Sequence, residues 1–232
     1  GASTGYRWFV PERGGFASRL RGVWNASVAS ALGADREKNF CWGGSTAIRR
    51  STFERLKVVD HWRGTVSDDF TITRVLREAK LPIHFTPNCL VPSFGDCGWK
   101  ELVEFTTRQI KITRVYAPHL WVALLLGSSL FALAFFGGIV LLAVRVFLGQ
   151  SFWLVAAFLI VIFALGAAKG IVRWRAVSIP LASYRSALRR DLAAHIFLWP
   201  FASLLYLYNA IFAGFSRRID DLRSLTIEYR FR

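Results

Sequence analysis

The fold of this chain is decided by residues 119–144, HLWVALLLGSSLFALAFFGGIVLLAV, where no Asp, Glu, Lys or Arg occurs from Leu120 to Val144. A helix that crosses a bilayer needs about 17–25 predominantly apolar residues. This run therefore predicts a membrane-spanning helix. A second run without charge, SFWLVAAFLIVIFALGAA at 151–168, predicts another.

A third apolar run, LAAHIFLWPFASLLYLYNAIFAGF at 192–215, is long enough to span but contains His195, Pro200 and Asn209. With this run included, we expect a transmembrane region over residues 119–215 that holds two to three helices. The third segment is either a full span or a re-entrant or interfacial segment, and the apolar pattern leaves both open.

Charge predicts the orientation. The segment 169–190, KGIVRWRAVSIPLASYRSALRR, is rich in Lys and Arg, whereas the linker RVFLGQ at 145–150 holds only Arg145. Basic loops next to spans stay in the cytoplasm, so we expect the 169–190 loop and the region before the spans to be cytoplasmic. The tail 216–232 is also basic, so the same rule predicts a cytoplasmic tail. A third full span would place the tail on the outside instead, and the two predictions conflict. We expect an integral membrane protein.

An amphipathic helix is predicted directly before the first span, over 99–118. In WKELVEFTTRQIKITRVY (99–116), apolar residues such as Leu102 and Ile110 fall on one face of a helix, and cations such as Lys111 fall on the other. A helix with Trp at one end and cations on its polar face suits the membrane interface. The same pattern also describes a surface helix on a soluble core, but Pro118 and the first span follow at once.

Composition limits the partners. The chain of 232 residues has a net charge of +15 and a mean hydropathy of +0.35. No nucleic-acid-binding motif accompanies the charge, so we expect an anionic membrane surface or a nucleotide diphosphate as partner and no nucleic acid. Cys41, Cys89 and Cys97 lack metal-site spacing and are expected to be free thiols. Residues 1 to about 118 mix charged, turn and apolar residues as a soluble α/β domain does.

Two adjacent carboxylates, Asp68 and Asp69, stand in TVSDDFTITRVLREAKLPIHFTP (65–87). Apolar residues recur at helical spacing from Ile72, which predicts a helix that begins near Phe70. Ser67 and the two acids then lie at its amino end, where they cap free N–H groups and meet the positive end of the helix dipole. Capping explains one carboxylate better than two, so the alternative is an acid/base site.

A second candidate site lies in NFCWGGSTAIRRSTFERL (39–56). Gly43 and Gly44 expose backbone N–H groups, and the hydroxyls of Ser45 and Thr46 follow them. Such a turn can receive phosphate or sugar oxygens. A Gly-Gly turn before an apolar strand is also common without any ligand.

The order CWGGSTAIRR (41–50), VSDDF (66–70), FTTRQIKITRVYAP (105–118) and then apolar spans resembles membrane-bound family 2 glycosyltransferases, in particular the ceramide glucosyltransferase-like branch with its bacterial lipid glycosyltransferases. The resemblance covers nearly the whole chain. It implies that residues 1–98 are the carboxy-terminal portion of a GT-A domain, an α/β fold, followed by the interface helix and an all-α transmembrane region. It also implies a nucleotide-sugar donor and inversion at the anomeric carbon of the sugar.

The resemblance assigns roles to single residues. Asp69 is implied as the general base that deprotonates a lipid hydroxyl, with Asp68 as its acidic neighbour. The family's (Q/R)xxRW motif falls on residues 105–109, where Arg108 alone is kept and is implied to face the leaving diphosphate. Gln109 replaces the tryptophan and Phe105 the first polar residue, which puts the role in stacking against sugar and acceptor in doubt.

The family's nucleotide-contacting aspartate and DxD-type metal site have no counterpart in this sequence. The resemblance therefore implies that the chain is a fragment, that a divalent cation (Mg²⁺ or Mn²⁺) serves the full-length protein, and that its ligands lie elsewhere. We expect no metal ligands here and no glycosyl transfer by this polypeptide alone.

The expected function is transfer of a sugar to a ceramide-like or related lipid at the cytoplasmic face. The alternatives are a processive polysaccharide synthase of the same family, which an intact Q-x-x-R-W and more spans would favour, and a non-catalytic membrane protein fragment. Ionisable residues within the spans would favour the last, and the first two runs contain none.

Overall fold

Helices dominate the structure, a computed structural model that describes residues 1–215. They account for 67% of those residues. The few strands all lie before residue 95. The predicted α/β character is therefore limited to the amino-terminal part, and the predicted basic tail at 216–232 lies outside the described residues.

Five short strands form two ladders: β1 (Ala2–Thr4), β2 (Arg7–Val10), β3 (Thr46–Ile48), β4 (Ile83–Phe85) and β5 (Val91–Phe94). β1 lies at the centre of a three-stranded sheet, antiparallel to β3 and parallel to β4, and β2 pairs in parallel with β5. Parallel strands need a long crossover. Here the crossover contains the first four helices, α1 (Phe16–Ala29), α2 (Arg50–Arg55), α3 (Val58–Trp62) and α4 (Asp68–Glu78).

The helix predicted after the acidic pair is α4, and it begins at Asp68, two residues before the expected Phe70. Ser67 is its N-cap, with Oγ accepting the backbone N–H of Phe70 at 3.4 Å. Ile72, Val75 and Leu76 are buried against β1 and α3 side chains. The two acids therefore occupy the first turn, as the spacing predicts.

Between residues 99 and 215 the structure has six α-helices: α5 (Trp99–Tyr116), α6 (Pro118–Phe147), α7 (Trp153–Val177), α8 (Arg185–Arg190), α9 (Leu192–Phe197) and α10 (Trp199–Phe215). In the described part of the chain, α6 and α7 are long and apolar enough to cross a membrane, each with a mean hydropathy of 2.4. Core helices of soluble proteins pass the same test, but only 6% and 11% of these stretches are buried inside the protein. Such exposed apolar surface is unfavourable in water, which supports membrane association.

The third apolar run is broken. It forms α9 and α10, which meet at Leu198, and Pro200 stands in the first turn of α10, where proline is tolerated. The segment 169–190, predicted as a loop, is helical at both ends, because α7 continues to Val177 and α8 begins at Arg185. The predicted loop is therefore wrong for residues 169–177 and 185–190.

Small residues let α9 and α10 lie close to α7. A Cβ atom on Gly166 would stand 2.1 Å from the ring of Trp199, and one on Gly170 would stand 2.3 Å from the carbonyl oxygen of His195. Glycines spaced by four residues are a common device for close packing of helices in membranes. These two positions fix where the broken third run packs.

One hydrophobic cluster joins the amino-terminal part to the helical bundle. It contains buried residues of α1, α5, α9 and α10, including Trp24, Leu102 and Ala210. The helix α5, predicted to lie at the membrane interface, packs against α1, α6 and α10. The predicted boundary at residues 98/99 thus runs through a shared core.

Candidate active site

The acidic pair is held by the first turn of α4. Oδ1 of Asp69 accepts the N–H of Phe70 at 2.8 Å and the hydroxyl of Ser67. Among the described residues its Oδ2 has no hydrogen-bond partner, and the side chain is half-buried. Oδ1 of Asp68 accepts the N–H of Asp69 at 2.9 Å, and this side chain is exposed. Of the two, Asp69 is the acid with a sheltered carboxylate and an available oxygen.

The Gly-Gly turn lies beside this pair. A Cβ atom on Gly43 would stand 3.1 Å from Oδ2 of Asp68. Thr73 of α4 joins the two segments, since its hydroxyl donates to the carbonyl of Asp69 at 2.7 Å and accepts the N–H of Cys41 at 2.9 Å. Two motifs 25 residues apart in the chain therefore share one location.

The hydroxyls of the turn are used inside the protein. Oγ of Ser45 donates to the carbonyl of Cys89 at 3.3 Å, and Oγ1 of Thr46 donates to the carbonyl of Trp42 at 2.8 Å. A Cβ atom on Gly44 would stand 2.4 Å from the ring of Trp42. The turn is thus a fixed element, and ligand binding by Gly43, Gly44, Ser45 and Thr46 stays a prediction.

Three arginines are linked electrostatically, because Arg21 and Arg108 both act on Arg7, on which Asp69 also acts. Arg7 lies 5.0 Å from the ring centroid of Trp42, and Arg21 lies 4.3 Å from that of Phe9, distances typical of cation–π contacts. Nη2 of Arg21 also donates to the carbonyl of Gly95 at 2.8 Å. We call Arg7, Arg21 and Arg108 the arginine cluster.

The electrostatics link this cluster to the acidic pair. Burial lowers the pKa of Arg7. The positive charges of Arg108 and Arg21 lower this pKa further, whereas Tyr6 and Asp69 raise it. Burial also raises the pKa of Tyr6, which Arg7 lowers and Asp69 raises. Arg7 therefore lies within the field of both Asp69 and Arg108, the base and the diphosphate-facing cation that the resemblance implies. Gln109 follows Arg108 in α5 and is half-buried, its carbonyl accepting the hydroxyl of Thr113 at 2.9 Å.

Tyr116 ties the acidic pair to the first span. Its hydroxyl accepts the backbone N–H groups of Val66 at 2.8 Å and Ser67 at 3.3 Å, and its ring lies 5.7 Å from that of Phe70. Tyr116 is the last residue of α5, and α6 begins two residues later at Pro118. The loop before Asp68 is therefore fixed to the start of an exposed apolar helix.

Sequence reasoning missed Arg7 and Tyr116. Arg7 is the only charge in YRWFV (6–10), and a lone cation in an apolar strand is a signal that it has a specific neighbour. Tyr116 ends the predicted interface helix WKELVEFTTRQIKITRVY (99–116) and carries no distinguishing local signal there. Its hydroxyl partners lie about 50 residues away in the chain, so no local pattern points to them.

The described residues do not fit a resident divalent cation. Asp68 and Asp69 supply two carboxylates, and one oxygen of each already accepts a backbone N–H. Within residues 1–215 there is no group of three or more His, Cys, Asp or Glu side chains that could hold a metal ion. Mg²⁺ prefers six oxygen ligands and takes those that the protein does not supply from water and substrate phosphates, so two carboxylates with one oxygen each already in use do not by themselves form a resident site.

Comparison of the chain with protein-family models, with curated proteins and with solved structures finds no match. The function must therefore be argued from the geometry of the site.

Proposed function

We propose that this chain is part of an inverting glycosyltransferase that moves a sugar from a nucleotide-diphosphate donor to the hydroxyl of a membrane lipid at the cytoplasmic face. The single observation that supports this most is that the hydroxyl of Tyr116 accepts the backbone N–H groups of both Val66 and Ser67. It fixes the loop of Asp69 to the end of α5, directly before a helix suited to a bilayer. A base held there meets the hydroxyl of a lipid whose chains remain in the membrane.

The proposed step is a single displacement. Oδ2 of Asp69 takes the proton of the lipid hydroxyl while the lipid oxygen forms a bond to the anomeric carbon of the sugar. The bond between that carbon and the diphosphate oxygen breaks, and its electron pair leaves with the diphosphate. The configuration at carbon inverts, and protonated Asp69 later returns its proton to water.

The arginine cluster suits the leaving group. Negative charge develops on the diphosphate as the bond breaks, and guanidinium groups bind such oxygens through paired N–H donors. Arg7 and Arg108 are the cations that we assign to this task, because Arg7 responds to the charge of both Asp69 and Arg108. A divalent cation, if the enzyme uses one, would be held by residues other than those described here. The GT-A fold and the bacterial inner membrane belong to the same proposal.

The test is Asp69→Asn, which keeps the size and the capping ability of the side chain but removes the base. We expect transfer of labelled sugar into the lipid fraction to fall about 100- to 10,000-fold, the usual contribution of a general base. The assay uses membranes from cells that express the open reading frame containing this sequence. Glu78→Gln at the other end of α4 is the matched control and should keep full activity, because Glu78 pairs only with exposed Arg74.

Wild-type activity in Asp69→Asn would show that the pair only caps α4 and would refute the proposed base. A labelled product that grows into a polymer, in place of a lipid with one sugar added, would favour the polysaccharide synthase instead.

A further inference from the structure

A cavity of about 450 Å³ lies between α6, α7 and α10, with one residue of α1 in its wall. One part of its lining is polar and contains Lys169, Arg173, Ser27, Ser203 and Tyr206. The rest is apolar. The cavity takes no part in the chemistry proposed for Asp69, and none of its lining residues belongs to the arginine cluster.

The polar part offers unused donors. Lys169 and Arg173 are four residues apart on α7 and therefore lie on one face of that helix. Neither forms an ion pair with an acid of residues 1–215. Nη1 of Arg173 donates to Oγ of Ser27 at 3.2 Å. Its buried Nε has no hydrogen-bond partner among residues 1–215, and neither has the buried Nε1 of Trp199. Two cations with no acid and two buried donors with no acceptor fit a ligand that is an anion rich in oxygen.

The apolar part points to the rest of the ligand. It is lined by Phe131 of α6, by Ile162 and Leu165 of α7, and by Trp199 of α10. Leu165 is 67% exposed, so the cavity opens onto the outer apolar surface of α7. A free anion would leave this apolar wall unused. A molecule with an anionic head and an aliphatic chain would use both parts.

The position of the cations in α7 agrees with the depth of a lipid headgroup. Arg173 and Lys169 lie four and eight residues before the end of α7 at Val177, or about 6 and 12 Å along the helix axis. Ser27, which contacts Arg173, belongs to α1 in the amino-terminal part, and this places the polar part at that side of the bundle. Long cationic side chains near the end of a span reach the phosphate level of a bilayer.

We propose that this cavity binds an anionic phospholipid, with its phosphate on Arg173 and Lys169 and one acyl chain along the wall formed by α6 and α7. The headgroup phosphate and inorganic phosphate are both oxygen-rich anions, and the two cations can bind either. The apolar wall selects the lipid.

The test uses the full chain purified in dodecyl maltoside, with dioleoylphosphatidylglycerol as the anionic probe and dioleoylphosphatidylcholine as the neutral one. Native mass spectrometry counts retained lipid, and the midpoint of thermal unfolding reports its effect on stability. We expect selective retention of the anionic lipid. Arg173→Gln and Lys169→Gln should each weaken retention about tenfold, the loss expected for one charge-assisted hydrogen bond. Arg175→Gln, an exposed cation on the same helix, is the matched control and should retain lipid like the wild type.

Ser203→Phe gives a second test that leaves both charges in place, because a larger side chain fills the cavity and should also reduce retention. Lys169 is exposed, so its variant keeps the test open if Arg173→Gln fails to fold. Equal retention of the two lipids, equal behaviour of Lys169→Gln and Arg175→Gln, or full stabilisation by inorganic phosphate alone would each overturn the proposal. Transfer activity is not needed for any of these readings, so a failure here is distinct from a failure of the Asp69 test.

Discussion

Arg7 and Arg173 are both half-buried cations, but their surroundings differ. Arg7 lies against the ring of Trp42 and within the field of Asp69 and two further arginines. Arg173 lies with Lys169, Ser27 and Tyr206 in the polar part of a largely apolar cavity and forms no ion pair with an acid of the described residues. A cation within the field of a carboxylate suits a reaction in which a proton moves while negative charge grows elsewhere. A cation in an apolar cavity suits retention of an anion that does not react.

The first prediction separates the two regions. Arg7→Ala should slow sugar transfer about 10- to 100-fold, since a lost charged contact costs about 1.5–3 kcal/mol. It should leave retention of phosphatidylglycerol unchanged. Transfer into the lipid fraction and native mass spectrometry measure the two effects. Arg50→Ala is the control, because Arg50 is exposed and pairs only with Glu54 at 2.7 Å. Equal activity of the two variants would remove the arginine cluster from the site.

The second prediction concerns the packing that forms the cavity. Gly170→Ala should lower the free energy of unfolding by about 2 kcal/mol, the usual cost of forcing an extra methyl group into a packed core. The reason is the 2.3 Å approach of its Cβ atom to the carbonyl oxygen of His195. Gly127→Ala in α6, where no atom lies within 4 Å, is the control and should not destabilise the chain. Denaturation by dodecyl sulfate in mixed micelles measures both. Equal midpoints would mean that α9 does not pack there.

The third prediction concerns the link between the site and the span. Tyr116→Phe keeps the ring beside Phe70 but removes the oxygen that accepts the N–H groups of Val66 and Ser67. The activation free energy of transfer should rise by about 1 kcal/mol, which slows the rate about fivefold. Because Tyr116 acts by positioning Asp69, transfer should slow at saturating donor while KM for the donor stays unchanged. Exposed Tyr208→Phe is the control. A change in donor KM alone would indicate direct contact with the donor.

The parts that the sequence predicts best are those set by local composition. The spans α6 and α7, the helix α5 and the first turn of α4 follow from runs and periodicities within about 30 residues. The pairing of β1 with β4 joins residues about 80 positions apart, and no local pattern specifies it. The break at Leu198 had a signal, since Pro200 is tolerated in the first turn of a helix and therefore marks where α10 begins.

The candidate site divides in the same way. Asp68, Asp69 and the Gly-Gly turn stand out in the sequence because of their local pattern. Their proximity depends on Thr73, whose two hydrogen bonds join α4 to the turn. The arginine cluster combines a strand, α1 and α5, and no local pattern indicates that its three members come together. Tertiary contacts decide which of them meet the carboxylate.

The central claim is that the acidic pair lies at the membrane surface. The most direct test is the depth of a nitroxide label on Asp68→Cys in vesicles, with Arg50→Cys as the matched site, in a chain whose Cys89 and Cys97 are changed to serine. Cys41 can stay, because it is buried and burial raises the pKa of its thiol to about 11. Power saturation with oxygen and a water-soluble nickel chelate gives the depth. We predict a label in the headgroup region at position 68 and in water at position 50; equal exposure to the chelate at both positions would contradict the claim.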